Sequence, residues 1–308
     1  MTKLRATAKA LLGTRDARQT WRISKLQSQH PEHGTQHLFH ADDTDDAALS
    51  EAPIFILSAG WRSGSTLLQR LVCSGKNVLI WGEPYDRSNL IQTLAHTAAP
   101  FSEEWPPEGY IKPSDDLENL SNQWTANLYP PKSALRSSYR ALFIRLFASP
   151  AYELGAEHWG LKEVRFGYAE AMFLKGLFPK GRFLFIRRHL PDAYMSYKGF
   201  NGSMNWFASW PNRAAFTPFS FARHWGRLSR EVERAAVETG GILIEYEDLV
   251  AGQVNMTQLS EYCGFTVDDS TLQKRIGSGK KENAQQQPIL LERVLLWLGS
   301  QVGQRSHR

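Results

Sequence analysis

A turn rich in glycine and hydroxyl side chains, between residues 58 and 66, has the residue types that bind an anion. Its sequence, Ser-Ala-Gly-Trp-Arg-Ser-Gly-Ser-Thr, directly follows the apolar run 53–57, and apolar residues then recur at helical spacing. A strand that passes through a glycine turn into a helix directs backbone N–H groups and the helix N-terminus at one place. We expect a phosphate or sulfate site whose donors come from Gly60, Trp61, Arg62, Ser63, Gly64, Ser65 and Thr66.

The turn differs from the nucleotide-binding pattern G-x-x-x-x-G-K-[ST] in two respects. Three residues rather than four separate Gly60 from Gly64, and Ser65 stands where that pattern has lysine. This turn lacks that lysine, and the sequence offers no obvious acidic partner for magnesium. A magnesium-dependent nucleotide hydrolase is therefore disfavoured. A kinase that uses the same turn stays open as an alternative.

A second corner of this kind carries two arginines. The apolar run 183–186 indicates a strand, Arg187 and Arg188 follow it, and a helix opens after them. Alternation along a strand places the two guanidinium groups on opposite faces of the sheet. Arg188 can bind a phosphate with two hydrogen bonds, and Ser196, eight residues further on, can donate from the helix. Arg187 is expected to form an ion pair elsewhere.

Charged side chains also follow two other predicted strands. The strand 78–81 ends in Gly-Glu-Pro, so Glu83 is expected at its C-terminal end, on the strand next to the anion-binding turn. Parallel sheets present functional side chains at that end. Asp86 is the alternative carboxylate. The strand 158–164 carries Lys162, followed by a glutamate and an arginine that either pair with each other or bind substrate.

The turn Trp-Arg-Ser-Gly-Ser-Thr-Leu-Leu resembles the 5′-phosphosulfate-binding loop of sulfotransferases that use 3′-phosphoadenylyl sulfate (PAPS). Arg62 stands where these enzymes carry Lys or Arg, and arginine is similar to the Golgi and bacterial branches. The interval between Arg188 and Ser196 resembles the family's 3′-phosphate motif, which favours Arg188 over Arg187. A later basic loop, 275–281, is similar in position and composition to one that folds over the 3′-phosphate, and Lys280 is the contact implied.

The resemblance also implies a mechanism. The Gly-Glu element, 21 residues after Arg62, is similar to that of tyrosylprotein and Golgi carbohydrate sulfotransferases, where the matching glutamate is the proposed general base. Lys162 resembles a lysine that supports the leaving oxygen in the tyrosylprotein enzymes. Glu83 would then take the proton of an acceptor hydroxyl, while Arg62 and Lys162 hold the charge of the transferring group. PAPS is the implied co-substrate, and no metal is required.

The order of the predicted elements indicates an α/β fold, since strands alternate with helices throughout. With the resemblance, we expect a P-loop-like three-layer sandwich in which helices flank a central parallel sheet. Residues 51–308 are predicted to form the sulfotransferase domain, with a loop-rich insertion at about 100–138. Residues 1–50 are predicted to be a basic N-terminal arm and an acidic linker.

Composition narrows the partners and the compartment. The chain of 308 residues has a net charge of +5, which favours an anionic ligand but is too dilute to predict nucleic-acid binding. Two cysteines and the absence of an apolar signal core lead us to expect a cytoplasmic protein. The basic residues near the N-terminus allow a weak contact with a membrane surface.

The acceptor is expected to be a hydroxyl of a saccharide, a lipid or a small metabolite. The aromatic segment 204–211 suits such a molecule, and packing of this segment on the sheet is the alternative. Two other functions stay open: a nucleotide-dependent kinase, and a catalytically silent nucleotide- or anion-binding protein of the same fold.

Overall fold

The computed structural model describes residues 31–39, 50–85, 88–102, 105–106, 117–122, 125, 128–198, 217–273 and 287–305. The strands are β1 (Ile54–Ser58), β2 (Val78–Trp81), β3 (His158–Glu163), β4 (Arg182–Arg187) and β5 (Ile242–Glu245). The α-helices are α1 (Pro31–Phe39), α2 (Ser65–Val72), α3 (Leu90–His96), α4 (Lys132–Phe143), α5 (Ser149–Glu153), α6 (Tyr168–Leu177), α7 (Leu190–Lys198), α8 (Pro218–Thr239), α9 (Tyr246–Val250), α10 (Met256–Cys263), α11 (Ser270–Gln273) and α12 (Leu290–Arg305).

The five strands form one parallel sheet in the order β2-β3-β1-β4-β5. All five residues of β1 are buried, which explains why this strand is a continuous apolar run rather than an alternating one. The predicted α/β class is confirmed. The predicted bounds of β2 match the observed ones, and those of β1, β3 and β4 differ by one residue at one or both ends, as is usual for strands.

The strand order corrects one expectation. Glu83 was predicted on the strand next to the anion-binding turn, but β3 lies between β2 and β1. Gly160 of β3 permits close packing there, because a Cβ at this position would lie 2.0 Å from the carbonyl oxygen of Ile54. The position of β3 depends on its pairing with β1 and β2, which lie far from it in the sequence. Local sequence patterns therefore could not predict it.

Each face of the sheet is covered by helices, so the predicted three layers are confirmed. Phe55 and Leu57 of β1 point into a core that includes side chains of α6 and α8. Ile54 and Ile56 point into a second core, which includes side chains of α2 and α10. These alternating assignments define the two faces, called here the α8 face and the α2 face.

Two elements lie where the sequence predicted less regular structure. Within the predicted arm, α1 packs on the domain: Leu38 is fully buried, and its carbonyl oxygen accepts a hydrogen bond from Arg136 of α4 (2.8 Å). Helix α4 begins at Lys132 and runs beyond residue 138, the predicted end of the insertion. The described helices include none that is both long and apolar enough to cross a membrane.

Candidate active site

The turn between β1 and α2 has the backbone geometry of an anion site. Gly60, Arg62 and Gly64 all have positive φ angles, of 94°, 64° and 92°. Alternating left-handed residues turn successive N–H groups toward one concave side, which is the arrangement that binds phosphate and sulfate in proteins. Arg62 is strained there, because a side chain disfavours this region of φ. The geometry therefore agrees with the expected anion-binding turn.

Side chains inside the turn hold its shape. The hydroxyl groups of Ser58 and Ser63 both donate to the carbonyl oxygen of Gly60, at 3.0 and 2.9 Å. Trp61 is buried between Tyr197 and His224, with ring centroids 5.9 and 4.9 Å away. The side chains of Ser63 and Trp61 thus support the turn, and ligand contact by their side chains stays a prediction.

Arg62 and Arg188 meet at the same edge of the sheet. The Nε of Arg62 donates to Oγ of Ser196 (3.0 Å), and Nη1 of Arg188 donates to the carbonyl oxygen of Arg62 (3.4 Å). Burial of the guanidinium and the like charge of Arg188 both lower the pKa of Arg62. Like charges held this close favour binding of an anion between or beside them, because the anion relieves their repulsion.

The two consecutive arginines have different surroundings. Arg187 forms ion pairs with Glu245 of β5 and Glu233 of α8, which confirms the expected ion pair. The guanidinium of Arg188 instead stacks on the ring of Tyr246, 4.4 Å from its centroid. Its Nε is buried and has no hydrogen-bond partner among the described residues. A buried donor in this condition suits a ligand that supplies an acceptor.

Tyr246 is a site residue that the sequence analysis did not identify. Besides Arg188, its ring contacts the turn, because a Cβ at Gly64 would lie 2.2 Å from its Cδ2. Gly64 is therefore needed both for its φ angle and for the space that Tyr246 occupies. Tyr246 directly follows β5, and the C-terminal ends of parallel strands carry functional side chains. That rule could have identified it.

Lys162 and Glu83 are in direct contact between Nζ and Oε1. Ile56 of β1 is the register partner of Lys162, so Lys162 points to the α2 face. Gly82, just before Glu83, lies beside α2: a Cβ there would be 3.7 Å from Nε2 of Gln69. Glu83, the predicted base, and Lys162, predicted to support the leaving oxygen, thus lie together beside α2. Asp86 lies outside the described residues.

Glu163, the last residue of β3, and Arg165, two residues later, form a separate ion pair. Arg165 donates to both oxygens of Glu163, at 3.0 and 2.6 Å, and Nη1 of Arg165 lies 3.4 Å from the side-chain oxygen of Asn89. Burial raises the pKa of Glu163 despite this partner. Of the two alternatives open for Glu163 and Arg165, the structure thus shows pairing with each other.

Some predicted site features lie outside the described residues, and a cavity in the described part lies away from the predicted site residues. Lys280, the loop 275–281 and the aromatic segment 204–211 all lie outside the described residues. A cavity of about 360 Å³ lies in the predicted insertion, and its walls include Phe101, Trp105, Tyr129, Lys132 and Leu135. None of the predicted site residues lines it. In the described part of the chain, no three His, Cys, Asp or Glu side chains gather as metal ligands do.

The fold and this edge define a class: an α/β protein whose parallel sheet has, at a strand-to-helix corner, a turn with the backbone geometry of an anion site. The sequence places it further, because the Sulfotransferase family matches residues 53–269. The chain belongs to the sulfotransferase family and is an enzyme that transfers a sulfuryl group.

Solved structures similar to this chain carry the same description. One is the sulfotransferase domain of the olefin synthase of Synechococcus PCC 7002, with 18% identity and a TM-score of 0.40 over 74% of this chain and 79% of that one. Another is a sulfotransferase from Alicyclobacillus acidocaldarius, with 13% identity and a TM-score of 0.38 over 74% and 87%. No curated protein matches the chain.

Proposed function

We propose that this enzyme transfers the sulfuryl group of PAPS to a hydroxyl of a saccharide, a lipid or a small metabolite. The observation that carries the proposal is that Arg62 and Arg188, which follow the neighbouring strands β1 and β4, converge with Ser196 of α7 through hydrogen bonds of 3.0 and 3.4 Å. PAPS has anionic groups at both its 5′ and 3′ positions. A nucleotide that carries phosphate only at its 5′ position would leave either Arg62 or Arg188 without an anionic group to bind.

The residues present fit such a ligand. The turn 60–66 would hold the 5′-phosphosulfate through its backbone N–H groups, with Ser65, Thr66 and the Arg62 guanidinium as further donors. Arg188 and Ser196 would hold the 3′-phosphate, since the buried Nε of Arg188 has no partner among the described residues. Lys280 stays a predicted additional contact. PAPS, when bound, supplies the sulfuryl group and a bridging oxygen that leaves with the 5′-phosphate.

The chain's own residues would manage the charge and the proton. Glu83 would accept the proton of the acceptor hydroxyl. At the same time the hydroxyl oxygen of the acceptor bonds to sulfur, and the bond between sulfur and the bridging oxygen breaks. Lys162 orients the Glu83 carboxylate by direct contact and offers an ammonium to the leaving oxygen. Arg62 stabilises the negative charge on the transferring group. These roles, metal independence and a cytoplasmic location are predictions.

Calorimetry tests the donor. We expect 3′,5′-adenosine bisphosphate to bind without metal, and to bind more tightly than 5′-AMP because Arg188 and Ser196 contact the 3′-phosphate. Magnesium-dependent binding of ATP together with indifference to the bisphosphate would contradict the proposal and favour the kinase.

Labelling tests the reaction. Incubation of the enzyme with ³⁵S-labelled PAPS and a lysate of the host cell should label one or a few acceptors, which mass spectrometry can identify. Bisphosphate binding with no transfer to any member of a broad hydroxyl panel would favour the catalytically silent alternative.

A further inference from the structure

The C-terminal helix α12 has an exposed apolar ridge along its outer side. Leu290, Val294, Leu298 and Val302 follow one another at intervals of four residues, and their exposed fractions are 78%, 46%, 41% and 42%. Trp297 flanks the ridge and is 62% exposed. Residues four apart lie on one side of a helix, so these side chains form a single row.

The opposite side of α12 is seated tightly on α8. A Cβ at Gly303 would lie 2.1 Å from the carbonyl oxygen of Arg223, and one at Gly226 would lie 2.5 Å from that of Ser300. Near the start of α12, Glu292 accepts hydrogen bonds from Tyr194 and Lys198 of α7, at 2.9 and 2.7 Å. The helix is therefore held along its length, and the ridge is presented outward on a fixed support.

The apolar surface is large for a protein that stays monomeric. With Ile289 and Leu291, which are also exposed, the ridge and Trp297 expose on the order of 800 Å², similar to the surface that one partner contributes to a standard interface. The largest apolar patch on a typical monomer is roughly 300–600 Å². A partner that covers this ridge is therefore expected.

The spacing of the ridge makes it complementary to itself. Rows of side chains four apart on two helices interdigitate in the commonest class of helix packing. In an antiparallel pair with its two-fold axis at the level of Leu296, Leu290 faces Val302 and Val294 faces Leu298. Arg293 then lies at the level of Gly299 of the other copy, a residue packed on α8, so the two copies of this arginine do not oppose each other.

We propose that the α12 ridge binds the same ridge of a second copy, forming a two-fold symmetric dimer. A lipid surface is the competing partner. Helices that lie on membranes have an outer polar face rich in Lys and Arg, opposite their apolar face. In α12 the side opposite the ridge is occupied by Gly299 and Gly303 packed on α8, which favours a protein partner. An exposed tryptophan beside an aliphatic row is typical of an interface centre.

Sedimentation velocity of the full chain tests the dimer. The wild type should sediment as a dimer at about 10–100 μM, and Val294→Lys should raise the dimer dissociation constant at least about 100-fold, since it buries a lysine in the interface. Val237→Lys is the matched control, because Val237 is 82% exposed on α8 and lies outside the ridge. A monomeric wild type, or equal dissociation constants for the two variants, would overturn the proposal.

Cross-linking tests the antiparallel arrangement. An equal mixture of Val294→Cys and Leu298→Cys chains should form more disulfide-linked dimer than either variant alone, with wild type as the background for Cys73 and Cys263. Flotation with phosphatidylcholine and phosphatidylglycerol vesicles tests the competing partner. A monomeric protein that floats with vesicles, and loses this with Val294→Lys, would overturn the dimer in favour of a membrane surface.

Discussion

Two ion pairs at the end of β3 have the same charges but differ in how open they are to solvent. In the Lys162–Glu83 pair the lysine is buried (5% exposed) but the Glu83 side chain is 27% exposed, whereas both partners of the Glu163–Arg165 pair are 1% exposed. Successive residues of a strand point to opposite faces, so Lys162 faces α2, the helix that follows the anion-binding turn, while Glu163 faces the α8 side. Position relative to the turn, rather than charge type, distinguishes the pair proposed for chemistry from the pair that supports the fold.

The end of β4 repeats this contrast. Arg187 is neutralised by Glu233 and Glu245, while Arg188 stacks on Tyr246 beside the turn. The site-facing Arg188 keeps a buried Nε without a partner among the described residues, whereas its sequence neighbour Arg187 is already paired. The comparison leads to four predictions, in which the site-facing member should affect activity or ligand binding and the other member should affect stability.

The largest expected effect is on catalysis. Glu83→Gln should lower kcat about 10²- to 10⁴-fold, because an amide cannot accept the acceptor's proton and general-base catalysis has this magnitude. The affinity for 3′,5′-adenosine bisphosphate should stay near the wild-type value. Steady-state kinetics with labelled donor measures kcat, and calorimetry measures the affinity for the bisphosphate. Asp86→Asn is the control for the alternative base: full turnover in Glu83→Gln together with loss in Asp86→Asn would reverse the assignment.

The buried pair should dominate stability. Arg165→Met should lower the free energy of unfolding by about 3–5 kcal/mol, because it leaves the Glu163 carboxylate buried without its partner. The double variant Glu163→Gln/Arg165→Met removes that charge and should recover most of the loss. Lys162→Met, on the more open pair, should cost less in urea denaturation than Arg165→Met. Equal losses for the two single variants would contradict the contrast drawn here.

The two arginines should separate binding from stability. Arg188→Gln should weaken binding of 3′,5′-adenosine bisphosphate about 10- to 100-fold, the effect of losing hydrogen bonds to a charged group. It should leave 5′-AMP binding nearly unchanged, because the variant loses only the contact with a 3′-phosphate, and 5′-AMP has none. Arg187→Gln is the matched control and should bind both nucleotides like the wild type. If Arg187→Gln shows the larger loss, the wrong arginine has been assigned to the ligand.

The smallest effect concerns pH. Because the pKa of Glu163 is raised by burial, the folded protein holds this proton at pH values where the unfolded chain has released it. Wild-type stability should therefore fall, relative to Glu163→Gln, as pH rises from the ordinary glutamate pKa through the raised one. Urea unfolding of both proteins across this range measures the difference. Parallel stability curves would show that Glu163 titrates normally in the folded state.

Most of the elements around the site could be predicted locally. The apolar runs before Ser58 and Arg187 predicted buried strands, and glycine or helix-forming residues after them predicted the corners. Alternation within β4 correctly separated Arg187 from Arg188. The neighbour relations could not be obtained in this way: β3 separates β1 from β2, and Tyr246 reaches Gly64 across 182 positions of sequence.

The sequence by itself determined which residues sit at strand ends and which donors the turn contains, because these depend on patterns within about ten residues. Only the tertiary structure decided that Lys162 contacts Glu83, that Glu163 is sealed with Arg165, and that Arg62 and Arg188 share one edge. Those relations arise from packing between distant segments, where burial and close approach of backbones select a single strand order. The same charged residue types thus became a candidate reaction centre on one face and a structural ion pair on the other.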